Sequence, residues 1–160
     1  PLLGKDFKLN IDGELISKPY VDITLKLLKL FNVNYINHNY SSFEFNYNNN
    51  SKLYSLDRQS IDIEPDASSA SYFFAAAALS GNVRVEGLNK ESIQGDIQFL
   101  DVLAKLGADI TYNNNSIDVN KATKLVGGQF DCIAIPDAAM TLATMGLFTN
   151  SPVELFNINS

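Results

Sequence analysis

The chain has 160 residues, of which 46% are hydrophobic and 19% are charged. Its formal net charge of −6 argues against nucleic acid or an anionic membrane as a partner, since both require a basic surface. No apolar run reaches the roughly 18 residues of a membrane span, and one cysteine with one histidine is too few for a metal ligand set.

The first part of the chain predicts one helix among several strands. Residues 7–11 alternate apolar and polar side chains, as a strand does. A helix begins at Ser17-Lys18-Pro19, where proline costs no hydrogen bond, and it ends near Asn32. Further strands are predicted at residues 33–36, 42–45 and 60–63, with an asparagine-rich turn at residues 48–50.

The second part predicts two more strongly apolar helices. Asp66 precedes an alanine-rich helix, and a strand follows at residues 82–88. Ser92 begins another helix, which Gly107 ends, before a hairpin at residues 109–112 and 116–119. A strand-like run at residues 130–135, a helix after Asp137 and a strand at residues 152–158 complete the pattern.

These elements repeat along the chain. The tripeptide Pro-Asp-Ala occurs at Pro65 and again at Pro136, and Ser17 with its helix corresponds to Ser92. The repeat is a β-α-β-β-α-β unit of about 70 residues, a length at which copies stack on one another. We therefore predict an α+β (α/β) fold of repeated units, with residues 1–63 and 64–160 belonging to two domains.

Asp137 is the first candidate for chemistry. A carboxylate ahead of a helix commonly caps the first backbone N–H groups. The same position also suits a hydrogen-bond acceptor or a base for a substrate hydroxyl. Asp66 has the same sequence context, so the local pattern leaves both roles open for Asp137.

Ser17 is the second candidate. A hydroxyl at a helix N-terminus either caps that helix or binds a phosphate or carboxylate. The Gln94-Gly95-Asp96 stretch is interpreted as a first helical turn with a structural acid. Cys132 is expected to be a small buried side chain in a reducing cytoplasm, and His38 a surface residue.

Four stretches in order resemble the 5-enolpyruvylshikimate-3-phosphate synthase family along the whole chain. They are the segments 17–25, 66–73, 94–96 and 135–141. The resemblance implies a two-domain fold of repeated units that closes on its substrates. It also implies transfer of the carboxyvinyl group of phosphoenolpyruvate to the 5-hydroxyl of shikimate 3-phosphate, with release of phosphate and without any metal or organic cofactor.

The resemblance further assigns roles to three residues. Ser17 is similar to the serine that binds the shikimate phosphate, and Tyr20 to the tyrosine beside the shikimate ring. Asp137 resembles the aspartate that binds shikimate hydroxyls and accepts the proton of the 5-hydroxyl, while Asp66 becomes its structural copy. Family members are much longer, so we expect this to be the central part of a cytoplasmic, monomeric transferase of aromatic amino-acid biosynthesis, inactive alone.

Two alternatives remain open. One is a UDP-N-acetylglucosamine enolpyruvyl transferase, which shares the fold but uses a loop cysteine as an acid. The other is a non-catalytic scaffold that retains the repeat without the site. The Ser17-Lys18-Pro19-Tyr20 segment favours a phosphorylated shikimate ligand over the first alternative.

Overall fold

The computed structural model describes residues 3–47, 55–56 and 60–158. The chain divides into two compact units, Pro1–Asp62 and Ile63–Ser160. The predicted turn at residues 48–50 lies outside the described residues. Helices and paired strands occur in both units, so each unit is described by itself.

Within its described residues, the first unit is a three-stranded antiparallel sheet with one helix. Its strand order is β1-β3-β2, and the sheet pairs Phe7 with Phe45. The rings of these two residues stack with centroids 4.6 Å apart, while Leu25 of the helix is buried. The elements are β1 (Phe7–Asn10), α1 (Lys18–Leu30), β2 (Tyr35–Asn37) and β3 (Ser42–Phe45).

The second unit repeats this arrangement after an alanine-rich helix. Its antiparallel sheet has the order β4-β6-β5, which matches β1-β3-β2 strand for strand. The elements are α2 (Ala67–Ser80), β4 (Asn82–Glu86), α3 (Phe99–Leu106), β5 (Asp109–Tyr112) and β6 (Ser116–Asn120). The β5–β6 hairpin and the stop of α3 at Gly107, which has a φ of 110°, are confirmed as predicted.

The end of the second unit adds a parallel pair of strands around a short helix. The elements are β7 (Gln129–Asp131), α4 (Ala139–Met145) and β8 (Glu154–Phe156), and a 3-10 turn extends α4 through Phe148. β7 and β8 pair in parallel to form a two-stranded sheet. Cys132 follows β7 and is fully buried, and this burial raises the pKa of its thiol, as expected for a core side chain.

The hydrophobic core of the second unit lies between its sheet and helices α2, α3 and α4. α2 contacts α3, α4, β4 and β6, so it is the central element of this core. Its alanines allow close approach, and Phe74 fills the space between its neighbours while only 2% exposed. The N-terminus of α2 is therefore held rigidly, together with the polar groups around it.

Two predictions about regular structure are wrong. Residues 60–63 form no strand, because alternation alone supplies no ladder partner, and Ile63 is 85% exposed. α3 begins at Phe99 rather than beside Ser92. Ser92 is buried and accepts a hydrogen bond from the Asn89 backbone N–H, so its hydroxyl closes a turn instead of starting a helix.

Candidate active site

Asp66 has the role of a helix cap. Its carboxylate accepts hydrogen bonds from the Ser68 backbone N–H at 3.1 Å and from the Ser69 hydroxyl at 2.5 Å. The Ser69 hydrogen bond is the main cause of the lowered pKa of Asp66. This carboxylate caps the helix that follows it, so the predicted structural role is confirmed.

Asp137 differs from Asp66 although its tripeptide is identical. It lies in a turn before α4, and Ala138 occupies the N-cap position without any side-chain cap. The backbone itself closes the start of the helix, because the Ala139 N–H donates to the Ile135 carbonyl at 3.0 Å. The Asp137 side chain lies on the exposed surface of this turn.

A buried carboxylate connects the two copies. Asp96 lies in a 3-10 turn, Gly95–Gln98, and is 7% exposed. It accepts a hydrogen bond from the Ser68 hydroxyl at 2.5 Å, and the Ala138 backbone N–H also faces it and lowers its pKa. Desolvation outweighs these effects and, with charge repulsion from Asp137 and Asp66, raises the pKa of Asp96. The two Pro-Asp-Ala segments thus lie around one carboxyl group.

A second polar contact joins α2 and α4. The Ser71 hydroxyl donates to the Ser68 carbonyl at 2.6 Å and lies 3.0 Å from the Thr141 hydroxyl. Because Ser71 has already donated its hydrogen, Thr141 is the donor in this buried pair. This pair of hydroxyls joins the first half of α2 to α4.

Ser17 has an unusual backbone conformation in the first unit. Its φ of 56° and ψ of 41° are left-handed, and its side chain makes no capping hydrogen bond. An ordinary serine cap is therefore wrong for Ser17, although Pro19 does occupy the first turn of α1. A non-glycine residue in this region costs about 1–3 kcal/mol and often marks a functional position.

The first turn of α1 is held by residues that sequence reasoning missed. The Tyr40 hydroxyl donates to Asp22 at 2.7 Å, and this hydrogen bond is the main cause of the raised pKa of Tyr40. The Lys18 ammonium lies 5.6 Å from the centroid of the Tyr40 ring, rather than being simply solvated. Tyr20, 43% exposed, lies on the same turn as Ser17. No local motif marks Tyr40, since its contacts come from an element distant in sequence.

The structure therefore arranges the candidate residues in two groups. Ser17 and Tyr20 lie together at the start of α1, and Asp137 lies with Asp96 and Asp66 in the second unit. Among the described residues, no group of three or more histidine, cysteine or acidic side chains could hold a metal ion. No helix within that part of the chain is long and apolar enough to cross a membrane.

Comparison with known sequences decides the family. The family model of EPSP synthase (3-phosphoshikimate 1-carboxyvinyltransferase) matches residues 1–160. The chain belongs to the EPSP synthase family. The 3-phosphoshikimate 1-carboxyvinyltransferase of Tolumonas auensis is 46% identical over 158 residues, and that of Marinomonas sp. is 45% identical over 159 residues.

These EPSP synthase relatives are longer than the chain. The two matches include 99% of this chain but 36% of each relative, so the chain spans about a third of the curated relatives it matches. Among solved structures, EPSP synthase from Acinetobacter baumannii superposes with a TM-score of 0.72 at 19% identity, over 94% of this chain and 34% of that one. The enolpyruvyl transferase NikO from Streptomyces tendae gives 0.68 at 16%, over 94% and 35%. The predicted enolpyruvyl transferase fold is confirmed.

Proposed function

We propose that the full-length protein that carries this chain transfers the carboxyvinyl group of phosphoenolpyruvate to the 5-hydroxyl of shikimate 3-phosphate. Membership of the EPSP synthase family supports this activity. The observation that carries the assignment of the base is the difference between the two Pro-Asp-Ala copies. The Asp66 carboxylate caps α2, whereas Asp137 is exposed in the turn before α4 and lies beside the buried Asp96 carboxyl.

Asp137 has two roles in this proposal. Its carboxylate accepts hydrogen bonds from shikimate hydroxyls and takes the proton of the 5-hydroxyl as that oxygen bonds to the central carbon of phosphoenolpyruvate. As this C–O bond forms, the C=C bond of phosphoenolpyruvate opens and its methylene carbon takes up a proton. The tetrahedral adduct then loses phosphate together with a proton from that methyl group, which restores the C=C bond and yields the enolpyruvyl ether. A base placed in this way contributes about 10²–10⁴-fold to the rate.

In this proposal Ser17 and Tyr20 contact the phosphate and the ring of shikimate 3-phosphate. The Ser17 hydroxyl, which makes no capping bond, donates to the shikimate phosphate at the positive end of α1. The exposed Tyr20 ring lies against the shikimate ring. The net charge of −6 means that most cations for two anionic substrates come from outside these 160 residues.

The test compares the same substitution in the two copies. In the full-length protein, Asp137→Asn should lower kcat about 10²–10⁴-fold, measured as phosphate release with both substrates. The matched control is Asp66→Asn, since asparagine also caps helices well and kcat should stay near that of the wild type. Wild-type turnover by Asp137→Asn would show that Asp137 is not the base.

The same assay separates the remaining alternatives. Turnover with UDP-N-acetylglucosamine in place of shikimate 3-phosphate would favour the other transferase, which needs an accessible cysteine acid. Cys132 is fully buried and its thiol pKa is raised by that burial, so this chain offers no such acid at that position. Absence of turnover with either acceptor would favour a scaffold. We further propose a monomeric cytoplasmic enzyme, in keeping with a reduced, buried thiol.

A further inference from the structure

We propose that Asp96 is a positioning residue that holds the turn bearing Asp137, acting through the Ala138 peptide. The inference rests on the proposed role of Asp137 as the base. Asp96 does not contact substrate in this proposal. Its task is to fix where the Asp137 carboxylate points, and residues in this role affect rate through geometry rather than through binding.

One side of the Asp96 carboxyl is firmly anchored. Its Oδ2 atom accepts the Ser68 hydroxyl at 2.5 Å. Ser68 itself lies in the capped first turn of α2, where its N–H bonds to Asp66. Since α2 is the central element of the core, this side of Asp96 is tied to the packed interior of the unit.

The other side of the carboxyl faces the Asp137 turn. The Ala138 N–H lies near enough to lower the pKa of Asp96. Yet Oδ1 is buried and has no hydrogen-bond partner among the described residues. Catalytic contacts are often long in the free enzyme and shorten when substrate binds. In this proposal the Ala138 N–H closes on the unpartnered Oδ1 when Asp137 engages the substrate hydroxyl.

A purely structural role does not account for this arrangement. The Asp96 carboxyl is 7% exposed and lies near the carboxylates of Asp66 and Asp137, which disfavour its ionised form. A buried polar atom without a partner, among like charges, makes the folded state less stable. Such local costs are typical of positions that serve function rather than stability.

Asparagine at position 96 separates the two contacts. The oxygen of this asparagine can still accept a hydrogen bond from the Ser68 hydroxyl. Its amide N–H₂ then faces the Ala138 N–H, and two donors cannot hydrogen-bond to each other. In the full-length protein, Asp96→Asn should lower kcat about 10- to 100-fold, since small misplacement of a reacting group has effects of this size. KM for phosphoenolpyruvate should change less than about twofold, because Asp137 contacts the shikimate hydroxyls and not phosphoenolpyruvate in this proposal.

The controls distinguish positioning from folding. Asp101→Asn, an exposed acid on neighbouring α3, should keep kcat near the wild-type value. Ser68→Ala removes the anchor of Asp96 but leaves the Ser68 N–H bond to Asp66. It should also lower kcat in protein whose circular dichroism spectrum matches that of the wild type, and it provides the test if Asp96→Asn does not fold.

A double variant tests whether Asp96 acts through Asp137. Adding Asp96→Asn to Asp137→Asn should lower kcat no further than Asp137→Asn alone, since the base is already absent. Three results would overturn this inference alone. They are additive losses of kcat in the double variant, a rise in KM without a fall in kcat in Asp96→Asn, and wild-type kcat in Asp96→Asn when Asp137→Asn is impaired. Wild-type kcat in Asp137→Asn would overturn the proposed function and, with it, this inference.

Discussion

Asp66 and Asp137 begin the same tripeptide pattern but differ in how their helices start. At Asp66 the helix follows at once, and the carboxylate closes its first turn. At Asp137 the turn from Ile135 to Ala139 supplies a backbone carbonyl to the first N–H, so a side-chain cap is not required. Backbone geometry beyond the tripeptide therefore makes the two aspartate positions different.

The burial of Asp96 and its hydrogen-bond partners could not be predicted from the sequence around it. Its position in Gln94-Gly95-Asp96 is typical of an exposed acid near a helix start, and acids there are usually structural. Its burial and its partners come from Ser68 and Ala138, which belong to other elements. Only the fold brings them together, so no local pattern marks the residue.

Ser17 allows a test that separates strain from binding. In the full-length protein, Ser17→Gly and Ser17→Ala should each raise KM for shikimate 3-phosphate tenfold or more, since a hydrogen bond to a charged group is worth about 1.5–3 kcal/mol. Ser17→Gly should keep a wild-type urea midpoint, because relief of the left-handed backbone offsets the flexibility of unfolded glycine. Unchanged KM in both variants would exclude a phosphate contact.

Helix α3 offers the clearest prediction about a single element. Gly107 has a φ of 110°, and a Cβ there would lie 2.5 Å from the Lys124 carbonyl oxygen. Gly107→Ala should therefore lower the free energy of unfolding by about 2 kcal/mol or more, as measured by urea denaturation.

Gly81 is the matched control for Gly107. It ends α2, its φ is −162°, and a Cβ there meets no atom within 4 Å. Gly81→Ala should thus be tolerated with little change in unfolding free energy. Equal losses at both positions would show that the left-handed conformation of Gly107 is not what limits substitution.

Elements were predicted well wherever the deciding contacts are local. The β5–β6 hairpin follows from alternation across an asparagine-rich turn, and the stop of α3 follows from Gly107. Residues 60–63 alternate equally well, but a strand also needs a partner, which the local pattern cannot supply. The start of α3 was missed for a related reason, because Ser92 bonds back to Asn89.

At the scale of the whole molecule, the repeat was the most informative prediction. The strand orders β1-β3-β2 and β4-β6-β5 show the same unit built twice from different sequences. The sequence could not show how the two Pro-Asp-Ala copies differ, since both use the same residue types. The repeat therefore predicts the scaffold, whereas the candidate site depends on differences between the two copies.

The 160-residue chain by itself should not bind or turn over the substrates. It spans 36% of the curated relatives and has an excess of acidic over basic side chains, which repels two anions. Isothermal titration of the chain with phosphoenolpyruvate should show no micromolar binding. The full-length protein is the positive control, and micromolar binding by the chain alone would contradict this expectation.

The parallel pair β7–β8 has a practical consequence for work with this chain. A two-stranded sheet has two outer edges, and each edge presents backbone donors and acceptors to any strand that can pair with them. Parallel pairs normally lie inside larger sheets. We therefore expect concentrated solutions of the chain to associate edge to edge, so measurements of its folding belong at low concentration, with light scattering to detect aggregates.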